Sequence, residues 1–203
     1  MARPGSVTVA ATEQVRFYKR RADRHPGHER AESTYACLLA TGHSVRLDDP
    51  RDDDSYAYPK PALAANGSEI AYAVDVVGPY NQSNVDGTKI VVFDLASATT
   101  PDKAVRFDAS EGDSARVGSV VASQSGSVAW IVCPFKGGTS EGSPRPNCTT
   151  AGRSYNRVLT RSAGSTESQV VDGGSDIYPR SLKLDGSNIT WRAGPERRSA
   201  PIG

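Results

Sequence analysis

Leu63-Ala-Ala-Asn-Gly-Ser-Glu-Ile-Ala-Tyr72 recurs twice downstream, as Ala122-Ser-Gln-Ser-Gly-Ser-Val-Ala-Trp130 and as Leu182-Lys-Leu-Asp-Gly-Ser-Asn-Ile-Thr-Trp191. Each copy carries Gly-Ser, then a branched aliphatic residue, a small residue and an aromatic one. The glycines, Gly67, Gly126 and Gly186, are spaced by 59 and then 60 residues. Glycine takes a positive φ without steric cost, so it marks a tight turn between two strands. After the turn the residues alternate: Ile70, Tyr72 and Val74 share one face, while Ala71, Ala73 and Asp75 share the other.

Further elements follow each hairpin. Ile90-Val-Val-Phe-Asp-Leu95 is a continuously apolar strand with a looser copy in Arg157-Val-Leu-Thr-Arg161. Val45-Arg-Leu-Asp48, Val105-Arg-Phe-Asp108 and Gln169-Val-Val-Asp172 form a fourth recurring element. One repeat therefore reads as a four-stranded antiparallel meander. Such a sheet cannot bury two apolar faces alone, so the repeats must stack on one another. The expected fold is all-β, a propeller-like array of about three four-stranded blades in one domain spanning residues 1–203. Full repeats are expected at 58–109 and 117–174, and partial ones at 35–57 and 178–203. Tyr35-Ala-Cys-Leu-Leu39 reads as an earlier copy without its hairpin, and the segment 35–49 is expected to join the C-terminal hairpin and 197–202 in one blade. If there are only three blades, two chains associating into a six-bladed ring is one way to close the structure, which makes a homodimer an expectation.

Composition agrees with this architecture. The 203 residues include 19 Gly and 13 Pro but a single Met, and the turn and β formers dominate. With 24 basic against 23 acidic residues the net charge is +1, which gives no general field for nucleic acid or an anionic membrane. No apolar run approaches the roughly 18 residues of a membrane span.

Tyr58-Pro-Lys-Pro-Ala-Leu-Ala-Ala-Asn-Gly-Ser-Glu-Ile-Ala-Tyr72, followed by Asp86-Gly-Thr-Lys-Ile-Val-Val-Phe-Asp-Leu95, resembles the TolB-type, WD40-like β-propeller repeat. In that family a Tyr-Pro hairpin ending in Asp-Gly precedes an Ile-Tyr-x-x-Asp-Leu strand. Asp185 keeps the family's aspartate, whereas Asn66 and Ser125 replace it, and the Ser-Pro ahead of it is absent throughout. The layout also resembles short secreted actinobacterial proteins built from the same repeats, and 18 Arg against 6 Lys fits that origin.

Three cysteines bear on the compartment. Cys133 and Cys148 bracket a Gly-, Ser- and Pro-rich loop that cannot pack a core of its own, so a disulfide is expected between them. Cys37 is left over as an inert thiol. No signal peptide is visible at the N-terminus. Two readings remain, a cytosolic protein or a mature chain from the exterior or envelope of the cell, and the cysteines favour the second.

Tyr58-Pro-Lys60 and Tyr178-Pro-Arg180 introduce the first and last hairpins, 120 residues apart. Lys60, Arg116 and Arg180 fall near the starts of the first strands, the end that opens on the central channel in propellers. With Tyr58 and Tyr178 they form a candidate site for an anionic group; exposed structural arginine is the plainer alternative. Tyr72, Trp130 and Trp191 are read as packing between blades rather than as a carbohydrate platform. His25-Pro-Gly-His28 lacks further metal ligands, and the charged segment Arg20 to Ser33 around it reads as a solvated loop. Asp48 to Asp54 reads as a connector. His43, Asp94 and Ser114 follow the order of a trypsin-like triad, but the flanking residues do not fit. No cofactor or metal set is legible. The expected role is therefore a secreted, non-catalytic module that binds a protein, a glycan or an envelope component. The alternatives are a hydrolase or lyase at the channel mouth, and a self-assembling structural protein.

Overall fold

The computed structural model describes residues 5–21, 32–47, 56–77, 85–97, 105–108, 115–134, 148 and 155–203. It is all-β: four antiparallel sheets of three or four strands, with no helix among the described residues. Sheet 1 runs β1 (Ser6–Ala11), β2 (Val15–Arg21), β3 (Glu32–Leu38), β4 (Ser44–Arg46). Sheet 2 runs β5 (Tyr56–Asn66), β6 (Glu69–Val77), β7 (Val85–Asp94), β8 (Val105–Asp108). Sheet 3 runs β9 (Ala115–Ala122), β10 (Val128–Pro134), β11 (Asn156–Arg161), β12 (Gln169–Gly174). Sheet 4 has three strands, β13 (Lys183–Asp185), β14 (Asn188–Ala193) and β15 (Glu196–Pro201). Each is a meander of neighbours in chain order. The repeating turns need glycine: Gly67, Gly126 and Gly186 have φ of 64°, 84° and 61°.

Three four-stranded sheets are present, as expected, together with a fourth of three strands. One expectation needs correction. The segment 35–49 does not share a blade with the C-terminus; β3 and β4 belong to a sheet whose first two strands are β1 and β2. The hairpin that seemed missing turns without glycine. Thr12 accepts the Val15 N–H on its Oγ1 at 3.0 Å, and its own N–H donates to the Val15 carbonyl at 2.8 Å. The charged run Arg20 to Ser33 is likewise not all loop, because Arg20 and Ser33 pair across β2 and β3. His25, His28, Asp48 to Asp54 and Ser114 lie outside the described residues.

The sheets pack as a row. Ile70, Tyr72 and Val74 meet Val15, Phe17 and Ala36 of sheet 1, while Ala71, Ala73, Ile90 and Val92 face sheet 3. Val128, Trp130 and Val132 fill that second junction. Ala129, Ile131 and Val158 meet Ile189, Trp191 and Ala193 of sheet 4 in the third. Strand alternation thus gives the two inner sheets apolar residues on both faces. The array is propeller-like but not closed, and among the described residues no apolar cluster joins sheet 1 to sheet 4.

Both ends of the row are polar. On sheet 1, the half-buried Arg16 and Arg20 and the buried Tyr18 alternate with Val15 and Phe17 and turn away from sheet 2. Tyr18 stacks on Tyr35 at 5.3 Å, with Arg16 over its ring at 5.1 Å. On sheet 4, the exposed Asn188 and Arg192 and the buried Thr190 alternate with Ile189, Trp191 and Ala193 of the junction. There Arg197 donates to Thr190 at 3.0 Å and lies 3.9 Å from Asp185. Polar outer faces on terminal repeats are what a finite stack needs in water.

Candidate ligand-binding end

The first strands of sheets 2 and 3, β5 and β9, lie against each other, and β13 approaches β9. All three precede a hairpin turn, so in each sheet the N-terminal end of the first strand lies opposite that turn. Each is interrupted there. Between Pro59, paired with Val74, and Leu63, paired with Tyr72, the register slips. Gly118 is the extra residue between Val117 and Ser119 on β9. In sheet 4, Ile177 bridges to Ala193, and the Tyr178 to Ser181 turn intervenes before β13. Bulges of this kind end pairing and re-aim side chains.

The breaks of sheets 3 and 4 fit into each other. A Cβ on Gly118 would stand 2.6 Å from both the side chain and the carbonyl oxygen of Pro179, so only glycine fits. Ser119 Oγ donates to the same carbonyl at 2.6 Å. The turn itself is tied by its own polar groups. Ser181 Oγ donates to the Tyr178 carbonyl at 2.7 Å and accepts the Arg192 N–H at 2.9 Å.

These contacts fix where the candidate residues sit. Arg116, half-buried, is two residues from Gly118, and Arg180, exposed, follows Pro179. Tyr178 is 38% exposed, and the Arg192 guanidinium stands 4.9 Å from its ring centroid. Tyr58 and Lys60 lie on β5 at its break, Tyr58 opposite Asp75. Arg116 and Arg180 thus stand two residues and one residue from the Gly118–Pro179 contact, and Tyr58 and Lys60 lie at the break of β5. Sequence reasoning did not find Arg192; its place after Trp191 on the repeat was the available signal. Arg116 pairs with Cys133, whose sulfur is bonded to Cys148. The aromatic repeat positions Tyr72, Trp130 and Trp191 are all buried in junctions, as packing residues. Asp94 is occupied locally, accepting the Ala96 N–H at 3.0 Å. Among the described residues, no group of three or more His, Cys, Asp or Glu is arranged to hold a metal ion.

A second polar cluster escaped the sequence reading, although the recurring aspartate of the fourth element was its trace. Asp172 on β12 accepts the Trp191 indole N–H at 2.7 Å, and its two carboxylate oxygens lie 3.0 and 3.2 Å from Arg198 Nη1. Arg198 also reaches Glu196 at 3.5 Å and Asp176 at 3.8 Å. Burial alone would raise the Asp172 pKa. The Trp191, Arg198 and Gly173 donors outweigh it and hold the carboxyl below the ordinary aspartate value of 3.8. A depressed native pKa stabilises the fold above the unfolded value, and that contribution is lost as pH falls through the native one. Asp94 acts in the same sense, lowered chiefly by the Ser68 hydroxyl. Glu69 acts in the opposite sense, raised by burial and then by Asp94.

Asp172→Asn is thus expected to cost about 1–2 kcal/mol at neutral pH, a figure kept low because Arg198 is more than a third exposed. Urea midpoints measured from pH 7 into the acid range should show the gap to the parent closing below the ordinary aspartate pKa. A gap that stays constant with pH would rule out ionisation of Asp172 as its source.

No family model matches the chain, and no curated protein matches it. The likeness to the TolB-type repeat therefore rests on the quoted residues alone. Among solved structures, the crystal structure of the tricorn protease aligns with a TM-score of 0.48 and 9% identity, over 93% of this chain and 20% of that one. The chain spans about a fifth of the length of that protein.

Proposed function

We propose that the chain is an exported, non-catalytic binding module. It takes an anionic partner (a protein, a glycan or a component of the cell envelope) on the side of the row opposite the hairpin turns of sheets 2, 3 and 4, through Lys60, Arg116, Tyr178, Arg180 and Arg192. The observation that supports this reading is the interlocked Gly118–Pro179 break, which Arg116 and Arg180 flank. Guanidinium groups beside a half-exposed tyrosine suit carboxylate or sulfate recognition, because the fork binds such groups bidentately and the ring adds an apolar contact. The Cys133–Cys148 bridge supports export, since disulfides persist in oxidising compartments.

Binding to immobilised heparin, as a sulfated glycan probe, tests the location. Lys60→Ala, Arg116→Ala and Arg180→Ala combined should weaken retention about tenfold, on the order of 0.5 kcal/mol for each exposed ion pair. Arg16→Ala, Arg46→Ala and Arg161→Ala remove the same charge from sheet 1 and from the hairpin end of sheet 3 and should leave retention nearly as it was. Equal losses in the two triple variants would show that net charge, rather than this end, is being read.

A further inference from the structure

The first hairpin turns of the four sheets lie together on one side of the row. Gly67 in the sheet 2 turn lies between Gln14 of the sheet 1 turn and Gln124 of the sheet 3 turn, with a Cβ placed on it 3.5 and 3.7 Å from them. Ser127, just after the sheet 3 turn, donates to the Gly203 carbonyl at 3.5 Å, and the neighbouring Ile202 N–H donates to the Ser187 carbonyl of the sheet 4 turn at 3.1 Å. The far ends of these hairpins therefore share the opposite side, and four arginines belong to it. Arg116 and Arg157 pair with Cys133 and Val132 at the far end of β10. Arg192 is near the far end of β14, and Arg180 follows Pro179, which lies against Gly118.

What these arginines lack sets them apart. Arg16 donates to Thr8 and Ser6, Arg161 donates to the Ser165 carbonyl, and Arg197 and Arg198 stand beside carboxylates. Among the described residues, no hydrogen bond or ion pair engages the guanidinium of Arg116, Arg157, Arg180 or Arg192, nor that of Arg20 on the same side of sheet 1. Arg157 is half-buried, with its Nε shut off from water and without an acceptor, which is costly in a finished core. Asp176 and Glu196 reach the same side, but Arg198 holds them, with Asp172, at the last strands β12 and β15. Uncompensated positive charge thus lies over the earlier strands and an acidic rim lies outside it. The two exposed aromatic side chains among the described residues are here as well. Tyr155, 62% exposed, precedes β11, and a Cβ on Gly173 would stand 2.7 Å from its hydroxyl; Tyr178 lies beside Arg180 and Arg192.

We propose that the partner on this side is an acidic polysaccharide, a chain of sugars bearing carboxylate or sulfate groups, lying along the row across sheets 3 and 4. The inference rests on the anionic-partner reading and narrows it. Packed sheets stand about 10 Å apart, so arginines from successive sheets form a line rather than a cup, and one small anion cannot engage them all. A polymer with recurring anionic groups can. Guanidiniums take carboxylates or sulfates through paired N–H donors. The exposed tyrosine rings offer apolar surface to the C–H faces of the sugars. An acidic protein suits the side less well, because protein interfaces bury an apolar centre, and the exposed side chains here supply little beyond the two tyrosines. The acidic rim repels a polyanion that strays outward from the line.

Calorimetric titration of the full chain tests it with galacturonic acid, its oligomers of increasing length, heparin fragments of increasing length, and polyglutamate. At least one glycan series should bind more tightly as the chain lengthens, level off once it spans both sheets, and exceed polyglutamate of matched charge. Tyr155→Ala combined with Tyr178→Ala should weaken glycan binding about fivefold or more and leave polyglutamate binding nearly as it was. Tyr155→Phe combined with Tyr178→Phe, which keeps both rings, should recover the glycan affinity. Arg157→Gln should weaken glycan binding about twofold or more. Circular dichroism matching the parent confirms that each variant is folded. Polyglutamate binding as tightly as either glycan, affinity independent of glycan length, or alanine variants that bind glycan like the parent would each overturn the polysaccharide and leave the anionic partner standing. Failure of every probe to bind would remove both.

Discussion

Trp130→Ala is expected to destabilise the fold by about 3–5 kcal/mol, the range for deleting a buried aromatic ring from a core that cannot collapse around the hole. Trp130 is completely buried, and it sits in the junction between sheets 2 and 3, packed among Ala71, Ala73, Ile90, Val120 and Leu159. The β6 residues facing it, Ala71 and Ala73, are too short to fill the space. Against a total stability of about 5–15 kcal/mol for ordinary domains, the loss is large. Guanidinium unfolding followed by circular dichroism gives the number. Tyr72→Ala and Trp191→Ala test the same position in the flanking junctions. Tyr72 adds a hydrogen bond from its hydroxyl to the Leu47 carbonyl at 3.1 Å and an edge contact with Phe93. A loss below about 1 kcal/mol at Trp130 would mean that the middle junction is not a packed core.

Removing the Cys133–Cys148 bridge is expected to cost about 3 kcal/mol by the loop-entropy relation, the two cysteines standing 15 residues apart in sequence. The bridge joins the end of β10, beside Arg116, to the chain that returns towards β11. Thermal unfolding with and without reductant should show the shift, and Cys133→Ser with Cys148→Ser should reproduce it. Alkylation after unfolding should label one thiol, Cys37, without reductant and three with it. Three labelled thiols without reductant would refute the pairing.

Much of the architecture was legible because the turns of sheets 2, 3 and 4 use glycine and their second strands place an aromatic residue four or five positions after it. Period-2 alternation then assigned Ile70 and Tyr72 to one junction and Ala71 and Ala73 to the next. Sheet 1 was hidden for two physical reasons. Its hairpin is closed by the Thr12 side chain instead of glycine, and its outward face bears Arg16 and Arg20 where an inner sheet carries apolar residues. The same charges that make it a good end to the row remove the signature of the repeat. The candidate site was legible as a set of residues at strand starts, but not as a neighbourhood. Gly118 meets Pro179 through the breaks of two irregular strands, and spacing along the chain does not reveal how these fit. The Asp172–Trp191–Arg198 cluster was not legible as a unit, since its members come from three different strands of two sheets.

A closed ring has no first member, whereas a row has two. Because the oily surfaces lie inside and the hydrophilic ones outside, an additional copy of the repeat could be spliced into the middle of this protein far more readily than joined on at either extremity. Growth of such a chain by gene duplication would leave its terminal units old and its interior new.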